Sequence, residues 1–371
     1  MIPLLLMLVA LQACSRKAES TTPTKVVEMD PLRIVAKHDG SGAYSFESYD
    51  AEELFKRGTS ELDAGRCTEA VAFYDRVANE FTGNRYVSPS LYNAGLCLAQ
   101  TGSKEEALKR FETLIDTLPD SPDLKHASFQ AGHLQLALQR WEPADKNAAA
   151  LLARSDLETG ERVEAMSMQA EALLGREQLD AADRAAQQTL TYYRTRPADQ
   201  VTDPFYAATA NFVYAEVLRL RGEQMAFPDT NQEEQKAVLV KRAQLLLDAQ
   251  REYFNTIRHT DAHWAAAAGH RIGGMYDKLW HDLVNAPVPA ALSPGAKELY
   301  PQEMAKLIKP LLRHAIRYWE LTLLMVERTG VQTDWAEQTK KDLERVRVLL
   351  LEQPPGPGGL PAQSAVTPQT H

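Results

Sequence analysis

"LYNAGLCLAQTGSKEEALKRFETLIDTLP", residues 91–119, decides the fold. Small residues stand at Ala94, Gly95 and Ala107, and large apolar ones at Leu91, Leu98, Phe111 and Leu114. Gly102 interrupts the stretch and Pro119 closes it. The same pattern lies on both sides of it. Ala70, Ala107 and Ala144 follow one another at 37-residue steps, and so do Gly58, Gly95 and Gly132. Tyr74, Phe111 and Ala148 come four residues after each Ala; Val77, Leu114 and Leu151 come seven after. Four and seven are helical spacings, so these side chains share one face. The unit reads as a helix pair. A small residue in the first helix lets its partner approach, an Ala in the second does the same, and large residues one and two turns on fill the gap.

These positions resemble the tetratricopeptide repeat, whose basic unit is 34 residues; here the connection between units is about three longer. A fourth copy carries Ala170, Leu173, Leu179, Ala182 and Ala186. A fifth begins at Ala215, Leu218 and Gly222, and its second helix is delayed by "EQMAFPDTNQEEQ" and resumes near Lys236 with Ala249 and Tyr253. A sixth begins at Trp264 with Ile272, Gly273 and Tyr276, runs to about Val284, and is followed by a Pro-rich stretch and a long helix with Ala315 and Trp319. A last helix, about 334–350, caps the stack, since each repeat buries its apolar face only against a neighbour. The expected fold is therefore all-α, a solenoid of antiparallel helix pairs with a longer, irregular C-terminal part. Residues 51–257 form pairs one to five and 258–352 the C-terminal helices and cap. Residues 353–371 are rich in Pro and Gly and read as a disordered tail.

The N-terminus speaks to location. Residues 2–11 are apolar but too few to span a bilayer as a helix, which needs roughly 20. They suit a secretory signal. Leu11, Ala13 and Cys14 resemble a bacterial lipobox, although Gln12 is larger than usual there and no Lys or Arg precedes the apolar run. The resemblance implies a signal peptide over 1–13, acyl chains on Cys14, and a tether over 14–50 with a short strand at "LRIVA". Ser15 after the cysteine points to the periplasmic face of a Gram-negative outer membrane, reached through the lipid alone. The net charge of −9 argues against nucleic acid as the main partner.

Cys67 and Cys97 are the two further cysteines. Export would expose them to an oxidising compartment. The repeat fold makes the helices that carry them packed neighbours, so a disulfide between them is expected; two buried free thiols are the alternative. In the repeat family, positions two, five, nine and twelve of a unit face the concave groove. Position five gives Phe55, Tyr92 and Phe129, an expected aromatic ladder, with Asn93 beside it and His126 and His133 on the same face. The competing reading is that these rings only pack against their neighbours. His259, His263 and His270 read as solvated or capping residues rather than metal ligands, and no cofactor is implied. Phosphate loops, dinucleotide Gly patterns, zinc-protease His pairs and nucleophile elbows are all missing, so no catalytic residue is assigned. Glu47–Ser48 matches the acid pair of peptidoglycan-cleaving enzymes, but it falls in the tether. The resemblance thus implies a lipid-anchored scaffold or assembly factor that binds proteins of an envelope complex, akin to lipoproteins of barrel or pilus assembly. The end "RTGVQTDWAEQTKKDLERV" is similar to repeat lipoproteins of myxobacterial gliding machinery. An unanchored periplasmic adaptor and a peptidoglycan-acting enzyme are the alternatives.

Overall fold

The computed structural model describes residues 31–38, 44–201, 203–228 and 232–352. A hairpin of β1 (Arg33–His38) and β2 (Tyr44–Tyr49) comes first, antiparallel, with Arg33 opposite Tyr49 and His38 opposite Tyr44. Helix pairs follow: α1 (Ala51–Asp63) with α2 (Cys67–Glu80), α3 (Val87–Gln100) with α4 (Lys104–Thr117), and α5 (Leu124–Ala137) with α6 (Trp141–Leu152). Then come α7 (Thr159–Gly175) with α8 (Leu179–Arg194), and α9 (Phe205–Glu223) with α10 (Gln232–Arg258). In the sixth unit α11 (Ala262–Val284) packs on α13 (Lys309–Thr329), with α12 (Pro294–Leu307) inserted between them. Helix α14 (Asp334–Glu352) closes the stack. The expected solenoid and its longer, irregular C-terminal part are both present.

The 37-residue period has a direct steric cause. A Cβ on Gly58 would lie 2.8 Å from the Tyr74 ring, and one on Gly95 would lie 2.6 Å from the Phe111 ring. Each aromatic from the second helix thus rests on bare backbone in the first, and both rings are fully buried. Burying one such side chain is worth about 2–3 kcal/mol. In the third unit Ala148 replaces the aromatic and cannot reach. Its space is taken by Met168 of α7, whose sulfur sits where a Cβ of Gly132 would go.

The turns keep the period as well. Gly65 and Gly102, which link the helices of units one and two, have φ of 74° and 86°. Gln139 and Glu177 occupy the same left-handed conformation in units three and four, at φ of 56° and 58°. Side chains that carry a Cβ are strained there, so the chain keeps the turn at some cost where glycine is missing.

Sequence expectation placed one short strand in the tether; the structure has a hairpin. One face docks on the first repeat. Tyr49 is buried edge-on to Phe81 and donates to Glu80 Oε2 at 2.7 Å, while Arg33 donates to the Glu80 carbonyl at 3.3 Å. Glu47 of the expected enzyme-like pair is spent on Arg57 at 3.0 Å and on Lys37. Cys14 and the terminal tail lie outside the described residues.

Candidate functional site: the concave face of the middle repeats

The first helices of successive pairs line the inner face, and α5, α7 and α9 touch one another directly there. Lys125 of α5 reaches Glu161 of α7 at 2.7 Å. Two turns along, His133 Nε2 lies 2.6 Å from Glu164 Oε1. Tyr206 of α9 stacks on the His133 ring at 5.9 Å, with its hydroxyl 3.4 Å from the same nitrogen. Burial, and then the Glu164 charge, hold the Tyr206 hydroxyl firmly protonated. Glu171 lies two turns beyond Glu164 on α7. It has no ion-pair partner among the described residues, and burial pushes its carboxyl up to about 7, opposed only by His133. The face is therefore a line of tied polar groups that ends in one carboxyl with unspent hydrogen-bonding capacity. Such a surface can recognise a partner's polar or cationic groups.

The aromatic ladder is differently disposed. Phe55 meets Tyr74 of its own pair at 5.7 Å and stacks on Tyr86 at 5.1 Å. Tyr92 meets Phe111 edge-on at 5.7 Å. Phe129 is 6 % exposed, within the core shared with Leu136, Leu151 and Met168. Each ring packs against other residues rather than against the next ring of the series, and Phe129 has no open face. Asn93 lies near the Tyr74 hydroxyl, which donates to Thr59 Oγ1 at 3.3 Å. His126 is exposed on the groove rim. Of the six groove residues singled out in the sequence, only His133 joins the polar line. Glu164, Glu171 and Tyr206 escaped notice there.

The expected disulfide is not formed: Cys67 and Cys97 are free, buried thiols. They sit in one apolar cluster with Ala70, Tyr74 and Ala94, where they fill the seam between α2 and α3. Burial first, and then the neighbouring Cys67, push the Cys97 thiol up to about 12, which keeps it in the unreactive protonated form.

The three later histidines go to three places. His259 Nε2 meets Asn211 Oδ1 at 2.9 Å, and His263 packs edge-on to Trp264. His270 is buried under α14, with Nδ1 3.1 Å from Thr339 Oγ1, and burial followed by the nearby Arg271 lowers its pKa to about 4. Among the described residues no group of three or more His, Cys, Asp or Glu could hold a metal ion.

A second buried network holds units five and six together. Glu216 is bound by Arg219 at 2.7 Å, by Arg271 at 3.1 Å and by the Tyr253 hydroxyl. Burial opposes its charge, but Arg219 and Arg271 prevail and hold the carboxyl below the usual range. The Arg271 guanidinium also lies 5.0 Å from the centre of the Trp335 ring, so the start of α14 is locked over this network. With its charges mutually satisfied, the network is a structural clamp.

A tetratricopeptide-repeat family model matches residues 90–121. With six stacked helix pairs among the described residues, the chain has a tetratricopeptide-repeat-like fold. A repeat protein from Parabacteroides merdae is 14 % identical over 80 % of this chain and 98 % of its own, with a TM-score of 0.41. MamA from Desulfovibrio magneticus is 16 % identical over 54 % of this chain and 95 % of its own, with a TM-score of 0.36. The P58(IPK) repeat domain is 16 % identical over 82 % of this chain and 99 % of its own, with a TM-score of 0.29. No curated protein sequence matches the chain. The family match covers one repeat unit of the stack, α3 with α4.

Proposed function

We propose that this chain is a scaffold that works in the envelope of a Gram-negative cell, held by acyl chains on Cys14 at the periplasmic face of the outer membrane, and gathers proteins of an assembly or motility complex on its concave face. The lipobox-like residues 11–14 and the polar stretch after them support the anchor. No described helix is long and apolar enough to cross a membrane, so attachment in this reading rests on lipid. Glu171 carries the binding half of the reading: it is a half-buried carboxyl without an ion-pair partner, next to a tied His133–Glu164–Tyr206 trio.

Two measurements test the two halves. Cells fed a labelled fatty acid are expected to label the protein, and Cys14→Ser is expected to abolish the label. An unlabelled wild type makes it an unanchored adaptor. A photocrosslinker placed at His126, exposed on the rim, is expected to capture one envelope protein, with the adduct lost in Glu171→Lys. Capture that survives this charge reversal, or none at all, removes the groove as the binding site.

A further inference from the structure

Apolar exposure is not evenly spread along the solenoid. Among the described residues from 51 to 231, no large apolar side chain is as exposed as those of the C-terminal part. On α10, Val240, Leu247 and Phe254 are 64, 58 and 38 % exposed. They are seven residues apart, so they form a straight ridge with a step of about 10.5 Å along the helix. Beside the ridge is an open pocket of about 190 Å³, floored by Leu246 of α10 and by Met275, Tyr276 and Leu279 of α11. That volume takes one large apolar side chain.

The far wall is α13. Tyr318 stacks on Tyr276 at 5.7 Å and accepts from Gln250 Nε2 at 2.8 Å, while Gln250 Oε1 accepts from the Tyr276 hydroxyl at 3.1 Å. The polar atoms of the wall are thus already paired, and the pocket offers an apolar surface held rigid. Leu321, half exposed, continues the wall by one turn.

The charges around this groove have one sign to spare. Lys236, on the line of the ridge one turn before Val240, and Arg317, beside Tyr318, make no ion pair among the described residues. Of the acids nearby, Asp248 is taken by Arg251 at 2.9 Å and Asp282 by Arg242 and Lys278; Glu233, one turn before Lys236, is not, but Lys241 beside Val240 adds another exposed cation without an ion pair among the described residues. In a chain of net charge −9, this is a locally cationic rim around an apolar slot.

We propose that the groove between α10 and α13 is a second, convex docking site, for an amphipathic helix whose apolar stripe is flanked by acidic residues. One large side chain of that helix fills the pocket, and its neighbours a turn away lie along Val240, Leu247 and Phe254. The flanking acids meet Lys236 and Arg317, which sets partner choice and association rate. This site is on the opposite side of the helix layers from the concave line and is independent of the anchor at Cys14.

The test uses the full chain and a fluorescein-labelled synthetic helix with Leu at positions spaced three and four apart and Glu on both flanks. Fluorescence anisotropy is expected to show binding that weakens with salt. A scrambled peptide of the same composition, and one with Lys in place of Glu, are expected to bind at least ~tenfold more weakly. Leu247→Asp is expected to cost ~tenfold or more, a typical hot-spot loss, and the pair Lys236→Glu with Arg317→Glu to cost several-fold and remove the salt dependence. All three positions are exposed, and circular dichroism on each variant confirms the fold. Equal binding of the scrambled peptide, or insensitivity to Leu247→Asp, overturns the proposal. So does a wild-type dimer by light scattering that Leu247→Asp turns to monomer, since a second copy then covers the groove.

Discussion

Gly273 and Gly274 are neighbours in the middle of α11, and the structure gives them opposite surroundings. A Cβ on Gly273 would stand 2.3 Å from Trp319 Nε1 and 2.5 Å from Cδ1. A Cβ on Gly274 meets nothing within 4 Å. Both substitutions to Ala gain the same intrinsic term, roughly 1 kcal/mol of helix propensity. Gly273→Ala must then displace an indole that is 1 % exposed and whose Nε1 donates to the His270 carbonyl at 3.0 Å. Overpacking a closed site costs about 1–3 kcal/mol, and breaking a buried hydrogen bond adds about 1. The expected outcome is net destabilisation of about 1–3 kcal/mol for Gly273→Ala and net stabilisation of about 0.5–1 for Gly274→Ala. Urea unfolding followed by tryptophan fluorescence reads the difference, as a shift of the two midpoints in opposite directions. The comparison is between adjacent residues of one helix, so coupling between repeats is common to both variants. If Gly273→Ala unfolds at the same urea concentration as wild type or higher, the close approach of α11 to α13 at Trp319 is wrong.

Two further outcomes concern His270, beside Trp319, and the turn at Gln139. His270 has its pKa lowered to about 4 from 6.5, so the unfolded chain takes up a proton that the folded one refuses. Stability from this residue is fully present above pH 6.5 and is lost as pH falls toward 4, at most about 3 kcal/mol; His270→Asn is expected to flatten the drop in urea midpoint between pH 7 and 5. Gln139 holds a left-handed turn at φ 56° where the preceding unit has Gly102, so Gln139→Gly is expected to raise stability by about 0.5–1 kcal/mol, measured by thermal melting.

The repeat was legible because small and large residues are both needed at fixed steps. Gly95 is bare where Phe111 lies on it, and Gly58 is bare for Tyr74, so a steric requirement between helices is written as a spacing along the chain. The long α11 and the capping α14 were legible for the same reason: Gly273, Ala315 and Trp319 repeat the pattern at a distance. The polar line was not. Glu164 and Glu171 sit at the second and ninth positions of a unit that has Ala170 in place of the glycine and Glu177 in place of the turn glycine, so its register was loose. Tyr206 precedes the motif of its own unit altogether. The second strand, residues 44–49, was missed although Tyr44, Ser45, Phe46 and Glu47 alternate; the alternation misleads about packing, since Tyr44 and Phe46 are exposed and Tyr49 is the buried residue of the strand. For the cysteines, spacing said that their helices are neighbours, but it cannot distinguish a bond from two small side chains filling a seam.

The concave site arises where the repeat departs from its own rule. In units one and two the aromatic of the second helix fills the space over the glycine of the first, so that seam is closed from within the pair. Ala148 breaks this in unit three, and Met168 of α7 enters the space from the following unit. That entry draws α7 against α5, and the same face of α7 carries Glu164 to His133 and Glu161 to Lys125. Trp141 and Gly175 reinforce it from the other end of α7: a Cβ on Gly175 would stand 2.2 Å from the indole of the preceding unit. The side chains that set the polar line are therefore positioned by two inter-unit contacts that a regular repeat lacks. Irregularity at Ala148 and Gly175 is a structural condition for the site, and a consensus aromatic at 148 would compete with Met168 for one space and push the two faces of the site apart.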